Sequence, residues 1–215
     1  MKSLDEIFRE CQTDKQKQCH WYSKYYEIFF EPIRLDKVTL CEWGVDSGFS
    51  LRAWRQYFPN GEISGVDIRG NYQYLIDEGC KATYIVDQTN EQQVKEFGEA
   101  HKDEYNIIID DCTHNGEDMI RTFEILFESL QVGGYYVTED LMANYDLSRW
   151  GKNGNMYDRI RQLVGETSMN GKTSMNHLCS NKMGEIHKYE NILTYMERHV
   201  EFFFQSCGLL IVKKM

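Results

Sequence analysis

An α/β fold is predicted: a mostly parallel sheet with helices on both faces and an antiparallel strand pair at the C-terminal end. Three observations carry this. Short β-branched runs alternate with helix-period segments through the first two-thirds of the chain, the pattern of βα units feeding a parallel sheet. Each strand-like run ends in an acidic residue or just before one. Two apolar runs close the chain around Cys207-Gly208, the signature of a strand pair joined by a short turn.

Taken in order, the strand candidates are Val38 to Trp43, Ile63 to Ile68, Ala82 to Val86, Tyr105 to Asp111 and Tyr135 to Glu139. Between them lie SLRAWRQYF, NYQYLIDEG, NEQQVKEFGEAH and EDMIRTFEILFESL, whose apolar residues recur every three or four positions and suit helices packed on a sheet. The Gly133-Gly134 pair stops the last of these helices. VEFFFQS and LLIVKK then form the antiparallel edge. Between Asp140 and His199 the pattern fails. Residues 141–198 are rich in Asn, Gly, Met and Ser, and a stretch that long without clear periodicity reads as a substrate cap or lid inserted into one domain spanning 1–215.

The length of 215 residues suits one domain with its own core. The 34 acidic against 24 basic residues give a net charge of −10, which argues against nucleic acid as a partner. The seven cysteines are odd in number and never fall in a CxxC spacing, so they read as reduced thiols in a cytoplasmic protein. No apolar run approaches the roughly 18 residues of a membrane span, and MKSLDEIFRE lacks the form of a signal peptide. No membrane partner is expected, and a homo-oligomer is left open.

Three constellations could carry chemistry. The first, L-C-E-W-G-V-D-S-G-F-S at 40–50, leads from a strand into a helix. Gly44 and Gly48 permit a tight turn and Ser50 opens a helix with free amides, which suits a nucleotide-like cofactor. Asp46 stands where GxGxxG has its middle glycine, and its charge would meet a pyrophosphate badly, so a cofactor without phosphates is favoured. The second is Asp67 at the end of I-S-G-V-D, placed to accept both ribose hydroxyls of an adenosine, which NAD and S-adenosylmethionine share. Asp87 and Gln88, in V-D-Q-T-N, could meet the adenine edge, although Asp87 also reads as a helix cap.

The third constellation is D-D-C-T-H at 110–114 with Glu139 and Asp140, at the carboxyl ends of two successive strands. Ligands of open α/β sheets bind outside those ends. Asp111, Glu139 and Asp140 would repel one another in a shared crevice, and a divalent cation, magnesium or manganese, is the simplest remedy. His114, three residues beyond Asp111, is then placed as a general base. The other histidines share no metal-ligand spacing, and a zinc set of Cys and His is absent.

These motifs resemble those of the macrocin and mycinamicin sugar O-methyltransferases, magnesium-dependent enzymes of the Rossmann-like class I methyltransferase fold. The resemblance runs from T-D-K at 13–15 and H-W-Y at 20–22 through E-W-G-V-D-S-G-F-S-L-R-A-W and V-D-Q-T-N. It is most specific at I-I-I-D-D-C-T-H and G-G-Y-Y-V-T-E-D-L. It implies metal ligands at Asp111, Glu139 and Asp140, a base at His114, and an N-terminal helical segment, 1–35, that folds over the cofactor with contacts from His20 and Tyr22. It likewise implies S-adenosylmethionine as cofactor, its methionine end at the glycine turn with Glu42, Gly44, Gly48 and Ser50, its ribose on Asp67 and its adenine near Asp87 and Gln88. Cys112-Thr113 replace the Gly-Ser usual in that family, and 141–198 match it poorly.

The function that follows is a metal-assisted O-methyltransferase acting on a sugar hydroxyl of a glycoside, nucleotide sugar or surface polysaccharide precursor. An N- or phosphoramidate-type acceptor would use the same cofactor half. A nicotinamide oxidoreductase is disfavoured by the missing middle glycine, and a non-haem iron hydroxylase by the single histidine. A non-catalytic cofactor-binding module would have no requirement for His114.

Overall fold

Seven strands form one sheet: β1 (Thr39–Trp43), β2 (Glu62–Asp67), β3 (Ala82–Ile85), β4 (Ile107–Asp110), β5 (Tyr135–Thr138), β6 (Val200–Gln205) and β7 (Leu210–Lys214). Their order in this computed structural model is β3-β2-β1-β4-β5-β7-β6. The structure describes residues 1–70, 72–145, 155–165, 195–206 and 208–215. β1 pairs in parallel with both β2 and β4, Leu40 lying opposite Ile63 on one side and Ile107 on the other. The chain therefore reverses its direction of progress between β1 and β4, and the crevice beyond their carboxyl ends is the topological switch point. β7 runs antiparallel between β5 and β6, as the final apolar runs predict.

The helices cover both faces. α1 (Leu4–Glu10) opens with a capping box between Ser3 and Glu6, followed by α2 (Ser23–Phe30). α3 (Phe49–Tyr57) follows β1, and α4 (Gln73–Asp77) follows β2. α5 (Glu91–Ala100) and α6 (Gly116–Ser129) are capped by the Asn90 and Asn115 side chains. The strand alternation sorts the core into two layers. Leu40, Ile107, Ile109 and Val137 face α1, α2 and α3, whereas Cys41, Trp43, Ile108 and Tyr136 face α5 and α6.

Three expectations are refined. The NYQYLIDEG stretch yields only the short α4, because Gly79 turns the chain at φ 100° just beyond it. The N-terminal segment is part of the core: Phe8 and Tyr26 pack edge-to-face on Trp54 with centroids 5.1 and 5.0 Å away, contacts worth about 0.5–1.5 kcal/mol each beyond burial. Of the expected lid, residues 146–154 and 166–194 lie outside the described residues. What is described, a short 3₁₀ turn at Leu141–Tyr145 and a helix at 156–165, buries Leu141, Met156, Ile160 and Leu163 against the α5 and α6 layer, so that part is core.

Candidate functional site at the switch point

The turn after β1 is set by two glycines. Gly44 has φ 94°, and a Cβ there would stand 1.9 Å from the Asp111 carbonyl oxygen, so its lack of a side chain serves the approach of β1 to the end of β4. Gly48, at φ 73°, is the N-cap of α3. Between them the Val45 and Asp46 amides donate to Asp67 Oδ2 at 3.0 and 3.2 Å. Burial opposes ionisation of Asp67, but hydrogen bonds from the Arg69 side chain and amide and from the Asp46 amide outweigh it and hold the carboxyl below its usual range. Arg69 also reaches Asp46 at 2.9 Å. Beside this turn lies a cavity of about 270 Å³ lined by Thr13, Lys15, Asp46, Ser47, Ser50 and Asp111. A larger open groove of about 620 Å³ runs between α5 and α6, but none of the strand-end acids lines it.

The acids beyond β4 and β5 divide by strand parity. Asp110 points to the α5 and α6 side, where Gln88 Nε2 donates to it at 2.6 Å and Tyr136 at 3.3 Å, and burial pushes its pKa up to about 7. Asp111 and Glu139 point to the α1 and α2 side. There the Lys15 ammonium donates to Asp111 Oδ2 at 2.5 Å and Glu139 Oε2 at 2.7 Å, with Glu42 Oε1 3.6 Å away. The other Glu139 oxygen accepts from Tyr26. Burial raises the pKa values of both Asp111 and Glu139, with Lys15 opposing the shift.

Asp140 leaves the strand pattern in the left-handed region, at φ 54°. Its Oδ2 lies 3.8 Å from His114 Nε2, which is 3.9 Å from Asp111 Oδ1, and His114 is itself at φ 54°. One ligand atom from each of Asp111, His114 and Asp140 falls within 4.8 Å of the others. Tyr22 donates to Asp140 Oδ1 at 2.7 Å and His20 Nδ1 approaches it at 3.3 Å. Burial disfavours the charged form of Asp140, yet these partners and His114 outweigh it and bring the pKa down to about 2. Two convergent carboxylates are donors that fit a divalent cation, with the His114 imidazole beside them. The fully buried Glu42 Oε1 accepts no hydrogen bond among the described residues and lies 3.6 Å from the Lys15 ammonium.

Several expected positions differ. Glu139 stands outside the convergent group, because its two oxygens are taken by Lys15 and Tyr26. His20 and Tyr22 meet Asp140 and not the glycine-turn cavity, whose N-terminal wall is the Thr13 to Lys15 loop. Glu42 is fully buried behind that loop, where it accepts from Trp54 Nε1 at 3.1 Å. Gln88 is buried and holds the end of β4, bonding Asp110 and accepting from the Thr113 amide at 2.9 Å. Asp87 accepts from Thr89, while Asn90 caps α5. The residue that sequence reasoning missed is Lys15. Its only signal was its place in the T-D-K motif.

This strand order with a C-terminal antiparallel pair defines the class I methyltransferase fold. Solved structures of the MycE methyltransferase from the mycinamycin biosynthetic pathway share it. One, in complex with Mg and SAH, superposes with a TM-score of 0.79 at 22% identity, covering 99% of this chain and 55% of that one. No protein-family model matches the chain. Among curated proteins it is 25% identical over 215 residues to L-olivosyl-oleandolide 3-O-methyltransferase of Streptomyces antibioticus, covering 92% of this chain and 55% of that protein. It is 35% identical over 133 residues to 8-demethyl-8-alpha-L-rhamnosyl tetracenomycin-C 2'-O-methyltransferase of Streptomyces olivaceus, 59% of this chain and 34% of that one. Demethylmacrocin O-methyltransferase of Streptomyces fradiae is 31% identical over 149 residues, 66% of this chain and 37% of that protein. The chain is thus similar in sequence to these curated O-methyltransferases, and it spans about half or less of their length.

Proposed function

We propose that the chain is an S-adenosylmethionine-dependent, metal-assisted O-methyltransferase whose acceptor is a sugar hydroxyl on a small glycoside, a nucleotide sugar or a surface polysaccharide precursor, acting in the cytoplasm. The observation that carries the reading is the convergence of Asp111, His114 and Asp140 at the switch point, next to the cavity under the β1 turn. The curated relatives named above, all O-methyltransferases by name, support it.

Asp67 accepts the ribose hydroxyls in this reading, exchanging some of its present bonds to Arg69 for them. The Thr13 to Lys15 loop and the Ser47 to Ser50 turn enclose the methionine end of the cofactor, which when bound supplies a methyl group on a sulfonium centre. Asp111 and Asp140 hold a divalent cation, magnesium or manganese, which supplies positive charge that eases deprotonation of a hydroxyl beside it. His114 takes that hydroxyl proton at Nε2 as the oxygen attacks in line, and the crevice fixes acceptor and donor in a near-attack pose. Tyr22 and His20 keep Asp140 ionised and oriented.

Two measurements test this. Methyl transfer to a panel of deoxysugar glycosides should vanish in chelator and return with magnesium. Calorimetry should show S-adenosylhomocysteine binding that weakens about tenfold or more in Asp67→Ala, the loss of a charge-assisted hydrogen-bond pair. Cofactor affinity unchanged by Asp67→Ala, or transfer that persists in chelator, would refute the corresponding half of the reading.

A further inference from the structure

We propose that Lys15 is an internal cation that competes with the divalent ion for the strand-end carboxylates and thereby sets how tightly the ion is held. The inference rests on the site reading given above. The Lys15 side chain is almost fully buried, and its ammonium lies within 4 Å of three carboxylates, those of Asp111, Glu139 and Glu42. One of them, Asp111, also offers its other oxygen to the group formed with His114 and Asp140. A single carboxylate therefore faces the ammonium on one oxygen and the candidate ion site on the other.

The ammonium is delivered there by a loop fixed at both ends. The Thr13 amide donates to the Phe8 carbonyl at the end of α1, and the Ser23 amide at the start of α2 donates to the Lys15 carbonyl at 3.2 Å. The Lys15 amide also bonds Thr13 Oγ1 at 3.3 Å. The same loop also walls the glycine-turn cavity. A second positive charge next to Asp111 then repels the ion and draws electron density from a shared ligand. Lys15 also holds Glu139 Oε2, so Glu139 is withheld from the ion while the ammonium is in place. Both effects act in one direction, and removing the positive charge should tighten ion binding. A purely structural pin predicts the reverse, since loosened acids would bind more weakly.

Mn²⁺ titrations of the full chain, followed by electron paramagnetic resonance of the free ion, test this without turnover. In Lys15→Gln the dissociation constant should fall about tenfold or more, the scale of removing a like charge at this range in a partly buried site. Lys15→Arg, which keeps the charge, should stay close to wild type. Should Lys15→Gln fail to fold, Lys15→Gln/Glu42→Gln removes one charge of each sign from the buried cluster, and it should bind Mn²⁺ more tightly than Glu42→Gln alone. Unchanged or weaker binding in these folded variants overturns the proposal. Wild-type binding that survives Asp140→Asn places the ion elsewhere and overturns the site reading instead. Binding that needs Asp140 but does not tighten without Lys15 overturns only the role given to Lys15. No binding in any folded variant overturns both.

Discussion

Replacing Gly44 by alanine should be among the most damaging single-methyl changes in the chain. The new Cβ would stand 1.9 Å from the Asp111 carbonyl oxygen and 2.7 Å from its carbon, where real Cβ contacts essentially never come under 3.0 Å. The obstacle is backbone, so no side chain can swing away. β1 and the end of β4 must part by about 1 Å, which strains the bond from the Asp111 amide to the Trp43 carbonyl, now 2.9 Å. Holding a non-glycine residue at φ 94° costs about 1–2 kcal/mol. Overpacking adds about 1–3 kcal/mol and a weakened buried hydrogen bond about 1 more. Together these give about 3–6 kcal/mol, or a fall in Tm on the order of 10 °C for a chain of this size. Gly48→Ala is the control: its Cβ would meet only the ends of the flexible Leu75 side chain, at 2.7 and 2.8 Å, so the cost should stay near the backbone penalty alone. Thermal unfolding of both variants, with Mn²⁺ affinity as a readout of Asp111, decides the matter. A Gly44→Ala protein that melts within 2 °C of wild type, or no lower than Gly48→Ala, would refute the claim that this glycine exists to let the two strand ends meet.

Two further outcomes are expected. Burial pushes the Glu42 carboxyl up to about 7 despite Lys15; a folded-state pKa above the unfolded value near 4.5 gives stability that is complete below pH 4.5 and lost as pH rises through 7. Glu42→Gln cannot ionise, so its stability relative to wild type should grow by about 3 kcal/mol between pH 4 and pH 8, and urea unfolding showing a constant difference would contradict the assignment. His114→Ala should lower turnover by about 10² to 10⁴ while Mn²⁺ and S-adenosylhomocysteine still bind. His114→Gly should lose the same activity yet melt above His114→Ala by about 1 kcal/mol, because only glycine is unstrained at φ 54°; equal melting points would show that the left-handed backbone there costs nothing.

The alternation of strand and helix signals was enough to place the sheet, its C-terminal antiparallel pair and the acids at the strand ends, because period-2 apolar runs and the residues closing them are local properties. The positions of Asp67, Asp111 and Asp140 at or just beyond strand ends were legible for that reason. What could not be read from the sequence depended on side-chain direction or on distant contacts. Glu139 and Asp140 are neighbours in sequence, but strand parity sends Glu139 toward α2, and a left-handed backbone at a non-glycine residue sends Asp140 toward His114. Nothing in T-E-D-L announces that turn. Gln88 follows a strand end as a cofactor contact would, yet it is buried and spends both ends of its amide on β4. Lys15 lies 96 residues from Asp111 and 124 from Glu139, so no spacing rule could join them. Part of the positive charge that faces these carboxylates comes from the chain itself, from Lys15.

The distribution of backbone strain ties these points together. Among the described residues, six non-glycine residues have positive φ: Gln12, Trp21, Asp46, Asp103, His114 and Asp140. Gln12 and Asp46 line the glycine-turn cavity, His114 and Asp140 belong to the convergent group, and Trp21 sits between His20 and Tyr22, which hold Asp140. Only Asp103 lies outside this region. Each such residue costs about 1 kcal/mol or more, and strain of that size persists only where neighbours over-determine the conformation. They do so here. The Asp46 amide and carboxylate are fixed by Asp67 and Arg69, and Asp140 is held between Tyr22 and His20 while the next amide, Leu141, donates to the Gly208 carbonyl at 3.1 Å. Glycine would relieve the strain at Asp46, His114 and Asp140 but would remove the side chain. These positions combine a left-handed turn with a carboxylate or imidazole side chain, and the surrounding bonds of α1, α2 and the C-terminal strand pair make that combination stable.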